Sequence, residues 1–185
     1  MSEEAGRLLA AISYQPGNGN ALDVVMSTIA SRLSENGYRV AGAVKHNTHR
    51  LDRRRCDMQL EILSSGETIS ISEDRGPEAR GCSLDTGALE SAVGMTIAGL
   101  ERGADILVVN RFGKLEANGR GFRPAIEFAV GHDLPCLVGV SHEHMDAWQE
   151  FTGSVGQELS VHVDDVWQWC LSAQPSAIQN FRAVV

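Results

Sequence analysis

The apolar positions of this chain fall into runs that alternate between two periods. Leu8–Tyr14 is a short continuous apolar stretch, the pattern of a strand buried on both faces of a parallel sheet. After the turn residues 15–20 (QPGNGN), Leu22, Val25, Met26, Ile29 and Leu33 recur at helical spacing, and Asn36-Gly37 stops that helix. Tyr38–Val44 is predicted as the next strand. The alternation then breaks: a basic loop, Arg50–Arg55, precedes Met58–Leu63 and Thr68–Ile71, which alternate about Ser-Ser-Gly and predict a hairpin. Past a Gly- and Arg-rich loop, Asp85 or Thr86 can cap a helix carrying Leu89, Val93, Ile97 and Leu100. Ala104–Val109 is predicted as a strand, 122–130 as a helix closed by Gly131, and Leu134–Val140 as a strand. A short helix with Trp148 and Phe151, a strand at Leu159–Val163 and a helix capped by Asp164 complete the series.

Strands separated by helices predict a three-layer α/β/α protein with a mostly parallel sheet and the hairpin of about 56–72 as an antiparallel insertion or edge. At 185 residues the expectation is a single domain with its own core. The net charge of −8 argues against nucleic acid or an anionic membrane as a partner drawn by bulk charge. No apolar run approaches the ~20 residues of a membrane helix, and the acidic start, MSEEAG, does not read as a signal peptide. The four cysteines form no CxxC pair, so reduced thiols in a cytoplasm are expected.

A parallel sheet places its binding chemistry beyond the carboxyl ends of its strands. Here those ends are the segments 15–20, 45–49, 110–121 and 141–144, which are expected to share one sheet edge. The first sits where a phosphate-binding loop would sit. The frame Tyr14, Gly19, Asn20, Ala21 lacks the lysine and the hydroxyl of a Walker A sequence, yet Gly17, Asn18, Gly19 and Asn20 can still turn backbone N–H groups toward an anion. An ordinary strand-to-helix turn capped by Asn20 is the alternative. The second segment follows the apolar ILVV as a Walker B segment would, with Asn110 in place of the acid. Arg111, Lys114, Arg120 and Arg123 put four cations within thirteen residues, with Glu116 the one acid among them, a focus suited to phosphate or another oxyanion. Arg80 precedes a helix start and is a further anion candidate, whereas Cys82 reads as structural. His142-Glu143-His144, with His46, lacks the spacing of a helical zinc motif, so His142 and His144 are weak metal candidates and no metal is expected.

Three segments together, CDMQLEIL, ISISEDRGPEARGCSLD and above all GADILVVNRFGKLEANGRGFRPAIEFA, resemble a bacterial NTPase-like family of unknown function, domain of unknown function 2478. Its members are often encoded near molybdenum-transport genes. More remotely, Asn110–Glu116 is similar to the Walker B segment Asp-Glu-Ile-Gly-Lys-Met-Glu of small P-loop nucleoside-triphosphatases; Gly113, Lys114 and Glu116 match and the leading acid pair does not. The resemblance implies a P-loop-like fold, a nucleotide or a molybdate-type oxyanion as ligand and a molybdenum transporter or molybdoenzyme component as partner. The missing acid pair and the missing Walker A lysine put magnesium-dependent hydrolysis in doubt. Two other readings stand beside anion binding: an active triphosphatase using Lys114 and Glu116, and a regulatory interaction protein with no small ligand. Oligomerisation is left open.

Overall fold

The computed structural model describes residues 6–49, 56–72 and 84–174. Seven strands form one sheet: β1 (Leu9–Tyr14), β2 (Val40–His49), β3 (Cys56–Ile62), β4 (Glu67–Ser70), β5 (Ile106–Phe112), β6 (Cys136–Ser141) and β7 (Gln157–Leu159). Their order is β4-β3-β2-β5-β6-β1-β7. The five strands from β2 to β7 in that order run parallel, while β3 and β4 add antiparallel at the β2 edge. The predicted hairpin is therefore an edge extension. β2 continues past the predicted Val44 to His49 because β3 pairs with it along that length, His49 opposite Cys56.

Alternation along each central strand supplies two apolar layers. On one face Ala10, Ile12, Ile106, Val108 and Leu137 pack beneath α1 (Gly19–Glu35) and α6 (Val163–Ala173). On the other, Leu9, Ala11, Leu107, Val109 and Val138 pack beneath α2 (Thr86–Glu101), α4 (Arg123–Gly131) and α5 (Met145–Thr152). The short α3 (Lys114–Ala117) lies between β5 and α4. Asp85 caps α2, its carboxylate accepting from Ala88 N–H at 2.9 Å. No helix among the described residues is long and apolar enough to cross a membrane.

Three local expectations are corrected. The last strand is Gln157–Leu159, which pairs with β1 over three residues; Ser160 then bonds Asp165 at 3.0 Å and the chain turns into α6. The cap residue of α6 is His162, with Asp164 inside the first turn. The cap residue of α1 is Asn18, and its side chain makes no capping bond; Asn20 lies within the first turn.

Cys136 and Cys170 are buried and free. Burial pushes both thiols up, Cys170 to about 12. Neither thiolate is populated near neutrality, so a disulfide-exchange reagent at pH 8 is expected to leave both unlabelled until denaturant is added. Mass spectrometry of the tryptic peptides reads this directly, and native labelling of either would refute it.

Candidate functional site

The carboxyl ends of β1, β2, β5 and β6 do share one edge, as the parallel pairing requires. At β1 the chain leaves through a tight turn: Asn18 N–H donates to Gln15 C=O at 3.0 Å, with Pro16 second and Gly17 third at φ +93°. This is a type II turn, in which Pro presets φ at the second position and Gly supplies the positive φ at the third. Helix α1 starts two residues later, so its N-terminal turn faces the end of β5.

β5 carries the decisive irregularity. Val109 lies opposite Val138 and Phe112 opposite Val140, so β5 spends one extra residue here against β6. Val109 and Phe112 both enter the apolar layer beneath α2 and α4. The bulge thereby puts the two polar residues between them on the α1 side together. Gly139 of β6 makes room for it, since a Cβ there would overlap the Asn110 carbonyl oxygen and crowd Leu22.

Both polar side chains converge on Asp23, a carboxylate of α1 that is only 6% exposed. Asn110 Nδ2 donates to Asp23 Oδ1 at 2.8 Å, and Asn110 Oδ1 accepts the Lys45 backbone N–H at 3.0 Å. Arg111 Nη2 donates to both Asp23 oxygens, at 2.9 and 3.1 Å, and to the Gly19 carbonyl at 3.2 Å. Gly19 permits this approach, because a Cβ there would lie 2.6 Å from Nη2. The guanidinium also stands 5.9 Å from the Tyr14 ring centre. Burial pushes the Tyr14 phenol above its ordinary value; Arg111 opposes that, and the Asp23 and Glu143 carboxylates add to it. With the described residues Arg111 bonds through Nη2. Its Nε is buried and has no hydrogen-bond partner among the described residues.

The remaining candidates separate. Gly17, Asn18, Gly19 and Asn20 sit at the first turn, beside Asn110 and Arg111. Lys114 and Arg120 are exposed and form no ion pair with a described residue. Arg123 is spent elsewhere: it bonds Glu127 at 3.1 Å and stacks on Phe151 at 4.3 Å. Glu116 is buried and its two oxygens hold backbone, Oε2 accepting from Gly113 N–H at 2.9 Å and Oε1 from Phe122 N–H at 3.0 Å. Both oxygens thereby close the loop on itself. Arg80 and Cys82 lie outside the described residues. His142 is exposed and His144 half-buried, in a 3-10 turn opened by Ser141, and the described residues bring no three His, Cys, Asp or Glu side chains together for a metal. His46 belongs to β2.

Sequence reasoning missed Asp23. The signal was present: Asp23 lies three residues before Met26 and seven before Ala30, on a helical stripe that is otherwise buried and apolar. It also missed the bulge, although the pair Asn110-Arg111 between Val109 and Phe112 breaks the period-two alternation.

This arrangement, a mostly parallel sheet with helices on both faces and a polar cluster between the first helix and a central strand end, is an α/β protein of P-loop-like fold. In agreement, the crystal structure of THEP1 from the hyperthermophile Aquifex aeolicus superposes with a TM-score of 0.54 over 82% of this chain and 90% of that one, at 17% identity. The chain belongs to the DUF2478 family, described as a protein of unknown function, whose model matches residues 9–169. It is also 32% identical over 161 residues to the molybdenum import ATP-binding protein ModC 2 of Bradyrhizobium diazoefficiens; the match covers 87% of this chain and 18% of that protein.

Proposed function

We propose that this protein binds a small anion, a nucleotide or a tetrahedral oxyanion, at the edge formed by Gly17–Asn20, Asn110 and Arg111, and hydrolyses nucleotide slowly or not at all. The observation that carries the reading is Arg111. Its guanidinium is laid against the first turn of α1, bonded through Nη2, with a buried Nε that has no acceptor among the described residues. That side chain is 36% exposed, and an anion that meets the open part of the guanidinium gains a charge-assisted bond. The helix start adds its partial positive charge to the same spot. Lys114 and Arg120 are the exposed cations that would extend the site, with Arg80 as a further reinforcement. Against hydrolysis stand Asn20, Ala21 and Asn110, which hold no ammonium, hydroxyl or carboxylate, and Glu116, whose oxygens are already bonded to backbone. The likeness to a molybdenum import protein supports molybdate as a ligand to test, and a cytoplasmic role beside molybdenum import as the setting.

A thermal-shift screen with nucleotides, phosphate, sulfate, molybdate and tungstate tests the reading, followed by calorimetry on the best ligand. Arg111→Met is expected to weaken binding about a hundredfold and Lys114→Ala about tenfold, at 1.4 kcal/mol per factor of ten. Unchanged affinity in Arg111→Met overturns the site. Magnesium-dependent turnover in the ordinary enzyme range of about 1–1000 per second overturns the non-hydrolytic part. No stabilisation by any of the ligands would leave the interaction-protein reading in its place.

A further inference from the structure

We infer that Asp23 is a specificity-determining residue, one that reserves this site for a single metal-free tetrahedral oxyanion and turns triphosphates away; the inference rests on the anion-binding reading above. Asp23 puts a buried carboxylate one turn into α1, directly beside the guanidinium that is to receive the ligand. It holds Arg111 through Nη2, and the Arg111 side chain keeps 36% of its surface exposed, so a small anion can meet the open part of the guanidinium without breaking the pair.

A longer, more highly charged ligand meets a different balance. The charge of Arg111 is already offset by Asp23, and each further phosphate on the ligand adds repulsion from a carboxylate that is shielded from water. A metal ion would normally relieve that repulsion, but the carboxylate at the site, Asp23, has both its oxygens taken by Arg111 and Asn110. Asn20 and Ala21 stand at the helix start. Asn110, at the strand end, has its oxygen bonded to Lys45 N–H and its amide to Asp23. Magnesium prefers carboxylate, hydroxyl and phosphate oxygens in a regular octahedron, so a magnesium–triphosphate complex finds no free carboxylate or hydroxyl among these residues. The discrimination is carried by the unfavourable element, a fixed carboxylate, as specificity often is.

The test is calorimetry with inorganic phosphate and with ATP, each with and without magnesium, on the parent protein, Asp23→Asn and Asp23→Ser. The parent is expected to bind phosphate at least tenfold more tightly than ATP under either condition, and magnesium is expected to bring no gain. In Asp23→Asn the preference for phosphate over ATP should fall about tenfold, the size expected from removing one nearby charge at an intermediate dielectric. Asp23→Ser repeats the measurement with a shorter side chain in case the amide does not fold. An unchanged preference in a folded variant overturns the role of Asp23 while leaving anion binding intact. ATP binding as tightly as phosphate in the parent overturns it without any variant. Failure of the parent to bind either ligand at millimolar concentration overturns both this inference and the reading on which it rests.

Discussion

Gly42→Ala is expected to unfold the protein under conditions where the parent is stable. Gly42 lies in β2 opposite Val108 of β5, with φ at +124°, a backbone region that side-chain-bearing residues rarely adopt. A Cβ built there would overlap the Val108 carbonyl oxygen and come within 2.7 Å of its carbonyl carbon and 2.9 Å of its nitrogen. All of these are backbone atoms of a central strand, so no rotamer change can relieve the clash. Strained backbone costs about 1–3 kcal/mol and overpacking a similar amount. Together they take roughly 3 kcal/mol or more from a stability that is typically 5–15 kcal/mol. The damage reaches the site, since β2 and β5 hold the Lys45–Asn110 bond. Urea unfolding measured by circular dichroism should show the midpoint falling sharply or the folded baseline lost; an unchanged midpoint would refute this account.

The parts of this structure that were legible in the sequence are those set by periodicity and local turn chemistry. Apolar runs separated by helical stripes predicted the parallel sheet. The edge followed from it, because parallel strands must bring segments 15–20, 45–46, 110–116 and 141–144 to the same end. Pro16-Gly17 announced its turn. The parts that were not legible depend on contacts distant in sequence. Asp23 and Arg111 are 88 positions apart, and their pairing exists only once a bulge turns Arg111 toward α1. Read alone, Arg111 was a cation awaiting an anion; in the fold it brings part of its own counter-charge. Glu116 gains its neighbours for a related reason. Its match to a Walker B segment suggested chemistry, whereas in the fold both carboxylate oxygens accept backbone N–H groups of a tight loop. The end of β7 was placed too late because ELSVHV alternates like a strand, while Ser160 and Asp165 start the turn to α6.

Glu116→Ala is expected to destabilise the protein by about 2–4 kcal/mol, and Glu116→Gln by less. Two backbone donors, Gly113 N–H and Phe122 N–H, end on the carboxylate. Removing it strands both, and each buried donor left unpaired costs about 1–3 kcal/mol. Gln keeps the length and one carbonyl oxygen, so one donor retains an acceptor and the other faces an amide NH2 group. Compensation by movement is limited, because Gly121, at φ +59°, already packs so closely on Glu116 that a Cβ there would overlap its Oε1. The loop carrying Lys114 and Arg120 is closed by this carboxylate, so anion affinity should fall in Glu116→Ala through disorder of the loop and be mostly kept in Glu116→Gln. Stability separates the two roles considered for this residue. A carboxylate that orients water contributes little to folding, and its replacement by Gln abolishes turnover at an unaltered unfolding midpoint. A loop-closing carboxylate lowers the midpoint in the order Ala below Gln below parent. Equal midpoints for all three proteins in urea would remove the loop-closing assignment and return Glu116 to the list of catalytic candidates.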